Sequence, residues 1–162
     1  RGSIAGKVVA WVGDGNNMCH SLLNLAGCLG MRMVVCTPKG YEPDAGILAS
    51  ASRLATHNGG QIRLVAEPLS AVKGASFVYT DVWASMGQEA EAEERRKVFR
   101  PFQVNAELLA AAPAHAKILH CLPAHRGEEI TADVFESERA IVFDQAENRL
   151  HAQKALLALV VR

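Results

Sequence analysis

The sequence has no excess of either charge, since 17 Lys and Arg balance 17 Asp and Glu. That balance removes the electrostatic case for a nucleic-acid partner or an anionic membrane surface. It also lacks a run of twenty apolar residues and a signal-peptide pattern, so no membrane span is read from it. Only four cysteines occur, at 19, 28, 36 and 121. They form no Cys-x-x-Cys pair, so neither a zinc site nor a disulfide framework is expected. No metal and no cofactor is expected either. Free thiols fit a reducing compartment, and a cytoplasmic location is the expectation. Internal repeats and low-complexity tracts are missing as well. The first residue is Arg1 rather than Met, as expected of an excised domain or a fragment of a longer protein.

What is present is enough for a folded domain. The chain has 162 residues, 49% of them hydrophobic, which can bury a core without staples. Six strands are predicted, at Lys7–Val12, Arg32–Cys36, Gln61–Val65, Ser76–Thr80, Lys117–Cys121 and Ala140–Phe143. Between them, Met18–Leu29 is apolar at helical spacing and stops at Gly30. Asp44 is placed to cap a helix running to about His57, and Asn58-Gly59-Gly60 closes it. Short helices are predicted at Pro68–Val72 and Val104–Ala112, and a last one at Ala146–Val161. The charge run Glu91–Lys97 is read as a solvated helix face. This alternation predicts an α/β fold, a doubly wound, Rossmann-like three-layer sandwich with a mainly parallel sheet. In the strand order 3-2-1-4-5, the loops after strands one and four flank one crevice.

Four segments carry polar chemistry toward that crevice. Gly13-Asp14-Gly15-Asn16-Asn17 opens like a dinucleotide fingerprint, but Met18 stands at the third glycine position and no acidic residue ends the second strand. Asn16 and Asn17 instead offer side-chain amides at a helix N-terminus, suited to a carboxylate. Asp81-Val82-Trp83-Ala84-Ser85-Met86-Gly87 puts a carboxylate at a strand end, where it can hold an ammonium or serve as a cap or ion-pair partner. His120-Cys121-Leu122-Pro123 puts a thiol and an imidazole at another strand end. Adjacent strand residues point to opposite faces, which excludes zinc there. Pro123 is a candidate cis proline. Asp144-Gln145-Ala146-Glu147-Asn148-Arg149 opens the last helix. Arg149 runs against the helix dipole there, and it suits an anion if it faces the crevice.

Taken together and in this order, these segments resemble the ornithine carbamoyltransferases. The matching stretches are Trp11–Asn17, Asp81–Gln88, His120–Pro123 and Glu147–Arg149, with Pro38–Pro43 in support. The resemblance implies residues 1–162 as the ornithine-binding domain. The family's N-terminal, carbamoyl-phosphate-binding domain is absent from this chain, as are its Ser-Thr-Arg-Thr-Arg and His-Pro-x-Gln motifs. It implies that Asn17 and Asp81 hold the amino-acid end of L-ornithine, and that Ser85 and Met86 belong to a closing loop. Cys121 and Leu122 would lie where the two substrates meet, and Arg149 would reach carbamoyl phosphate. Cys121 and Arg149 are thus the expected catalytic residues, and a homotrimer or a multiple of trimers the expected assembly. Transfer to putrescine or an acylated ornithine stays open, as do a nicotinamide dehydrogenase domain and a non-catalytic interaction module. Biosynthetic and catabolic members share these motifs, so direction stays open too.

Overall fold

A computed structural model describes residue 4 and residues 6–84 and 91–161. Strands β1 (Val8–Val12), β2 (Arg32–Cys36), β3 (Gln61–Val65), β4 (Phe77–Thr80) and β5 (Lys117–His120) form one sheet in the order β3-β2-β1-β4-β5. Every pairing is parallel. Helices α1 (Asn17–Leu29), α2 (Ala45–His57), α3 (Pro68–Val72), α4 (Ala92–Phe99), α5 (Ala106–Ala111), α6 (Ala132–Phe135) and α7 (Val142–Val160) connect and flank it. The strand order is the expected one, with the switch point between β1 and β4.

β1 shows why the sheet is buried on both faces. Ala10 and Val12 pack on one side with Val72, Val78 and Ile118. Trp11 points to the other side, against Leu23, Met33 and Ala51 beneath α1 and α2. A strand covered on both faces has no polar side to show, so its sequence is a continuous apolar run.

Two predicted elements differ. Ala140–Phe143 is not a sixth strand. Ala140 makes one isolated parallel bridge to Ile118, and the chain then turns into α7 at Val142. A short apolar run fits a strand or the first turn of a packed helix equally well. Here Val142 is buried in the core while Phe143 is exposed. The helix expected from Val104 starts at Ala106, because Asn105 caps it and Val104 bridges to Ile130. No helix among the described residues is long and apolar enough to cross a membrane. Along α7, Leu150, Leu156, Leu157, Leu159 and Val160 are exposed.

The Gly13-x-Gly15 turn has a structural cause. A Cβ on Gly15 would lie 2.3 Å from the Pro43 nitrogen and 2.6 Å from the Tyr41 carbonyl oxygen. The Gly15 N–H donates to that same carbonyl at 2.9 Å. The glycine therefore serves the close approach of this chain's own 41–43 turn, which occupies the side a fingerprint glycine leaves clear. Gly15→Ala is expected to cost roughly 1–3 kcal/mol through overpacking. A urea midpoint unchanged from the parent would contradict this.

Candidate functional site

The carboxyl ends of β1, β4 and β5 open into a cavity of about 1310 Å³. Asn17, Asp81, Cys121, Leu122 and Arg149 all line it. The structure thus brings together the described residues expected from the sequence. Ser85 and Met86 lie outside the described residues.

Asp81 is buried at the cavity floor. Asn16 caps α1, its Oδ1 accepting from the Met18 and Cys19 N–H groups at 3.0 and 3.1 Å. That cap fixes which way the amide faces, so Nδ2 donates to Asp81 Oδ2 at 2.9 Å. Of the two amides expected to face a ligand, Asn16 is therefore already engaged, and Asn17 stays exposed. Cys121 Sγ donates to the other oxygen, Asp81 Oδ1, at 2.8 Å. Burial, and then the hydrogen bond to Asp81, push the Cys121 thiol well above the usual thiol range. This thiol is a protonated donor, not a ready nucleophile.

His120 is buried beneath this pair. The Leu122 N–H donates to its Nδ1 at 2.9 Å, so that nitrogen carries no proton. The ring proton then sits on Nε2, which meets Glu129 Oε1 at 3.1 Å. The same carboxylate oxygen accepts from the His125 N–H at 2.6 Å. Glu129 thereby sets the tautomer, and the tautomer holds the turn. Leu122 sits at φ 60 and the Leu122–Pro123 bond is cis.

The expected divergence of His120 and Cys121 is not found. β5 ends at His120, and the turn brings donor atoms of Asp81, His120 and Cys121 within 4.8 Å of one another. Alternation holds only within a strand. Both His120 nitrogens and the Cys121 proton already have partners, so the cluster forms a hydrogen-bond network.

α7 starts a full turn earlier than expected, so Arg149 lies in its third turn rather than its first. It is exposed on the cavity wall and has no carboxylate partner among the described residues. Arg126, also at the wall, is paired with Glu136 at 2.5 Å.

The stretch Glu91–Lys97 is only partly a solvated face. Arg95 is buried and donates to Asp14 and to the Trp83 carbonyl. Its guanidinium also lies 4.8 Å from the Tyr41 ring centroid and 5.1 Å from that of Phe99. Burial raises the Asp14 carboxyl above its usual range, and Arg95 offsets part of that rise. Sequence reasoning passed over Asp14, Arg95, Glu129, Tyr79 and Gln145. Only Asp14, between two glycines at a strand end, carried a local signal.

A doubly wound parallel sheet with a fixed carboxylate and an open cavity at its switch point defines a Rossmann-like domain. A family model described as aspartate/ornithine carbamoyltransferase, Asp/Orn binding domain, matches residues 5–160, and the chain belongs to that family. The ornithine carbamoyltransferase of Pyrococcus horikoshii is 57% identical over 99% of this chain and 51% of its own length. The anabolic ornithine carbamoyltransferase of Pyrococcus furiosus is 58% identical, again over 51% of its length. The solved ornithine carbamoyltransferase from Pyrococcus furiosus superposes with a TM-score of 0.93 at 58% identity, over 98% of this chain and 50% of that one. That from Gloeobacter violaceus gives a TM-score of 0.89 at 46% identity, over 98% and 53%. The chain therefore spans about half the length of the curated relatives it matches. These likenesses disfavour a nicotinamide-binding domain and a non-catalytic module.

Proposed function

We propose that this chain is the ornithine-binding half of an ornithine carbamoyltransferase. The full enzyme would move a carbamoyl group from carbamoyl phosphate to the side-chain amine of L-ornithine, giving L-citrulline and phosphate. In that reaction a C–N bond forms, the C–O bond to phosphate breaks, and phosphate leaves with the electron pair. The amine loses a proton overall.

The observation that carries this reading is the buried Asp81 carboxylate, oriented by Asn16 and Cys121 at the cavity floor. A carboxylate holding one donor on each oxygen still has acceptor capacity for an ammonium. Asp81 and Asn17 would hold the amino-acid end of ornithine, with Ser85 and Met86 closing over it. Cys121 and Leu122 would lie between the substrates, and Arg149 would meet the phosphate. A free alkyl ammonium has a pKa near ~10.4, so the reactive amine must be neutral before it attacks. Fixed donors around the reacting atoms would supply positioning and charge stabilisation.

Among the described residues at the wall, Arg149 is the cation left without a carboxylate. One cation is few for a phosphate group, which supports a second, phosphate-binding half. The exposed apolar residues of α7 are surface that such a half would cover. A trimer or multiple of trimers, in the cytoplasm, fits the same reading.

The 162-residue chain alone is expected to make no citrulline, even at high ornithine and carbamoyl phosphate. Citrulline from a preparation free of full-length enzyme would sink that expectation. Joined to a phosphate-binding half, the chain is expected to regain turnover with ornithine over putrescine. Preferred turnover of putrescine or an acylated ornithine would redirect the proposal.

A further inference from the structure

α7 begins without a side-chain cap, and its first turn is seated by the side chains of Val142, Phe143 and Gln145. Val142 is buried in the core. Phe143 meets Phe135 edge-on, with ring centroids 5.8 Å apart. Gln145 reaches the ends of two strands. The His120 backbone N–H donates to its Oε1 at 3.1 Å. Its Nε2 donates to the Tyr79 hydroxyl oxygen at 2.8 Å. One end of the amide accepts and the other donates, so a single orientation satisfies both contacts. Beyond Gln145, every residue of the helix is exposed. Among the described residues, the later side chains of α7 hydrogen-bond only within the helix. Gln145 is therefore the last side chain that ties α7 to the sheet.

Arg149 stands four residues further on. That spacing is about 6 Å along the axis and about 40° round it, so the two residues share a face. Both line the cavity. Rolling the helix about its axis would break the contacts to His120 and Tyr79, and would turn Arg149 from the cavity toward solvent. Arg149 makes no ion pair among the described residues, so the helix alone sets its aim. We infer that Gln145 is a positioning residue, which fixes the roll of α7 and so directs the Arg149 guanidinium into the cavity. The inference rests on reading Arg149 as the cation that meets the phosphate of carbamoyl phosphate.

The test is a double-mutant cycle in the full enzyme, the chain joined to a phosphate-binding half, with KM and kcat/KM read for each substrate. Gln145→Leu occupies similar space but holds neither strand. It is expected to lower kcat/KM for carbamoyl phosphate roughly tenfold, within what a displaced substrate contact costs. The loss should lie mainly in KM, with KM for ornithine little changed. Gln145→Glu is expected to recover most of it, because two carboxylate oxygens accept from both the His120 N–H and the Tyr79 O–H. In an Arg149→Gln background, Gln145→Leu is expected to cost nothing further, since a residue acting only through another is silent once that one is gone. Additive losses, or a loss shared equally by both substrates, overturn the inference. If Gln145→Leu melts early, Tyr79→Phe, which removes one of the two contacts and keeps the ring, takes its place in the cycle and the same outcomes decide. An unimpaired Arg149→Gln enzyme would sink the phosphate reading itself. An impaired Arg149→Gln enzyme beside an unimpaired Gln145→Leu enzyme would sink the positioning role alone.

Discussion

Asp81→Asn is expected to weaken ornithine binding by at least ~30-fold, the lower end of what losing one partner of a buried charge pair costs. The substitution keeps the shape and removes the charge. An amide also brings an NH₂ group, which would face either the Cys121 proton or the Asn16 Nδ2 donors. Either juxtaposition sets donor against donor, so the thiol and the α1 cap lose their common acceptor along with the ligand. Titration calorimetry with L-ornithine is the measurement, on this chain or on the chain joined to a phosphate-binding half. A second readout separates charge from fold. With the carboxylate gone, the Cys121 thiolate is no longer opposed by Asp81, and its alkylation is expected to quicken. Equal ornithine affinity in parent and variant would remove Asp81 from the site. Equal affinity with faster alkylation would place the amine elsewhere in the cavity.

The parts of this site legible in the sequence were those that sheet geometry dictates. Strand ends in a doubly wound sheet converge at the switch point, so Asn17, Asp81 and Cys121 could be brought together without coordinates. Alternation of apolar runs was enough for five strands and their order. The Ala140–Phe143 run failed because four apolar residues suit a strand or a helix start, and only tertiary packing chooses. That error moved the start of α7, and with it the turn on which Gln145 and Arg149 sit. Gln145 then carried no signal, since its partners are the backbone of His120 and the hydroxyl of Tyr79. Glu129 was hidden differently. It stands beside Glu128 in what reads as a surface loop, yet it is fully buried because His120 and the His125 N–H require an acceptor there. Arg95 was hidden most completely. Its neighbours speak of solvent, and its partner Asp14 lies 81 positions earlier.

That hidden pair carries the largest expected effect on stability. Arg95→Met is expected to destabilise the chain by roughly 3–5 kcal/mol, because it leaves Asp14 buried without its cation. Methionine keeps much of the apolar contact with Tyr41 and Phe99, so the loss isolates the charge. The double variant Asp14→Asn, Arg95→Met removes both charges and is expected to recover most of the loss, since a buried pair contributes little net stability over an uncharged replacement. The pH dependence has a definite sign. Burial already raises the Asp14 carboxyl, and without Arg95 it rises further. A carboxyl with a folded pKa above its unfolded value binds more protons when folded, so stability falls as pH climbs above the ordinary aspartate range. The Arg95→Met deficit should therefore be smaller at pH 5 than at pH 8, with no such trend in the double variant. Urea midpoints at the two pH values measure both. A deficit that is independent of pH, or a double variant as unstable as Arg95→Met, would mean that Arg95 acts by packing and not by charge. The pair also ties the β1–α1 turn to α4 and to the Trp83 carbonyl two residues past Asp81. Arg95→Met should consequently weaken ornithine binding under conditions where the variant is still folded, which pure destabilisation would not do.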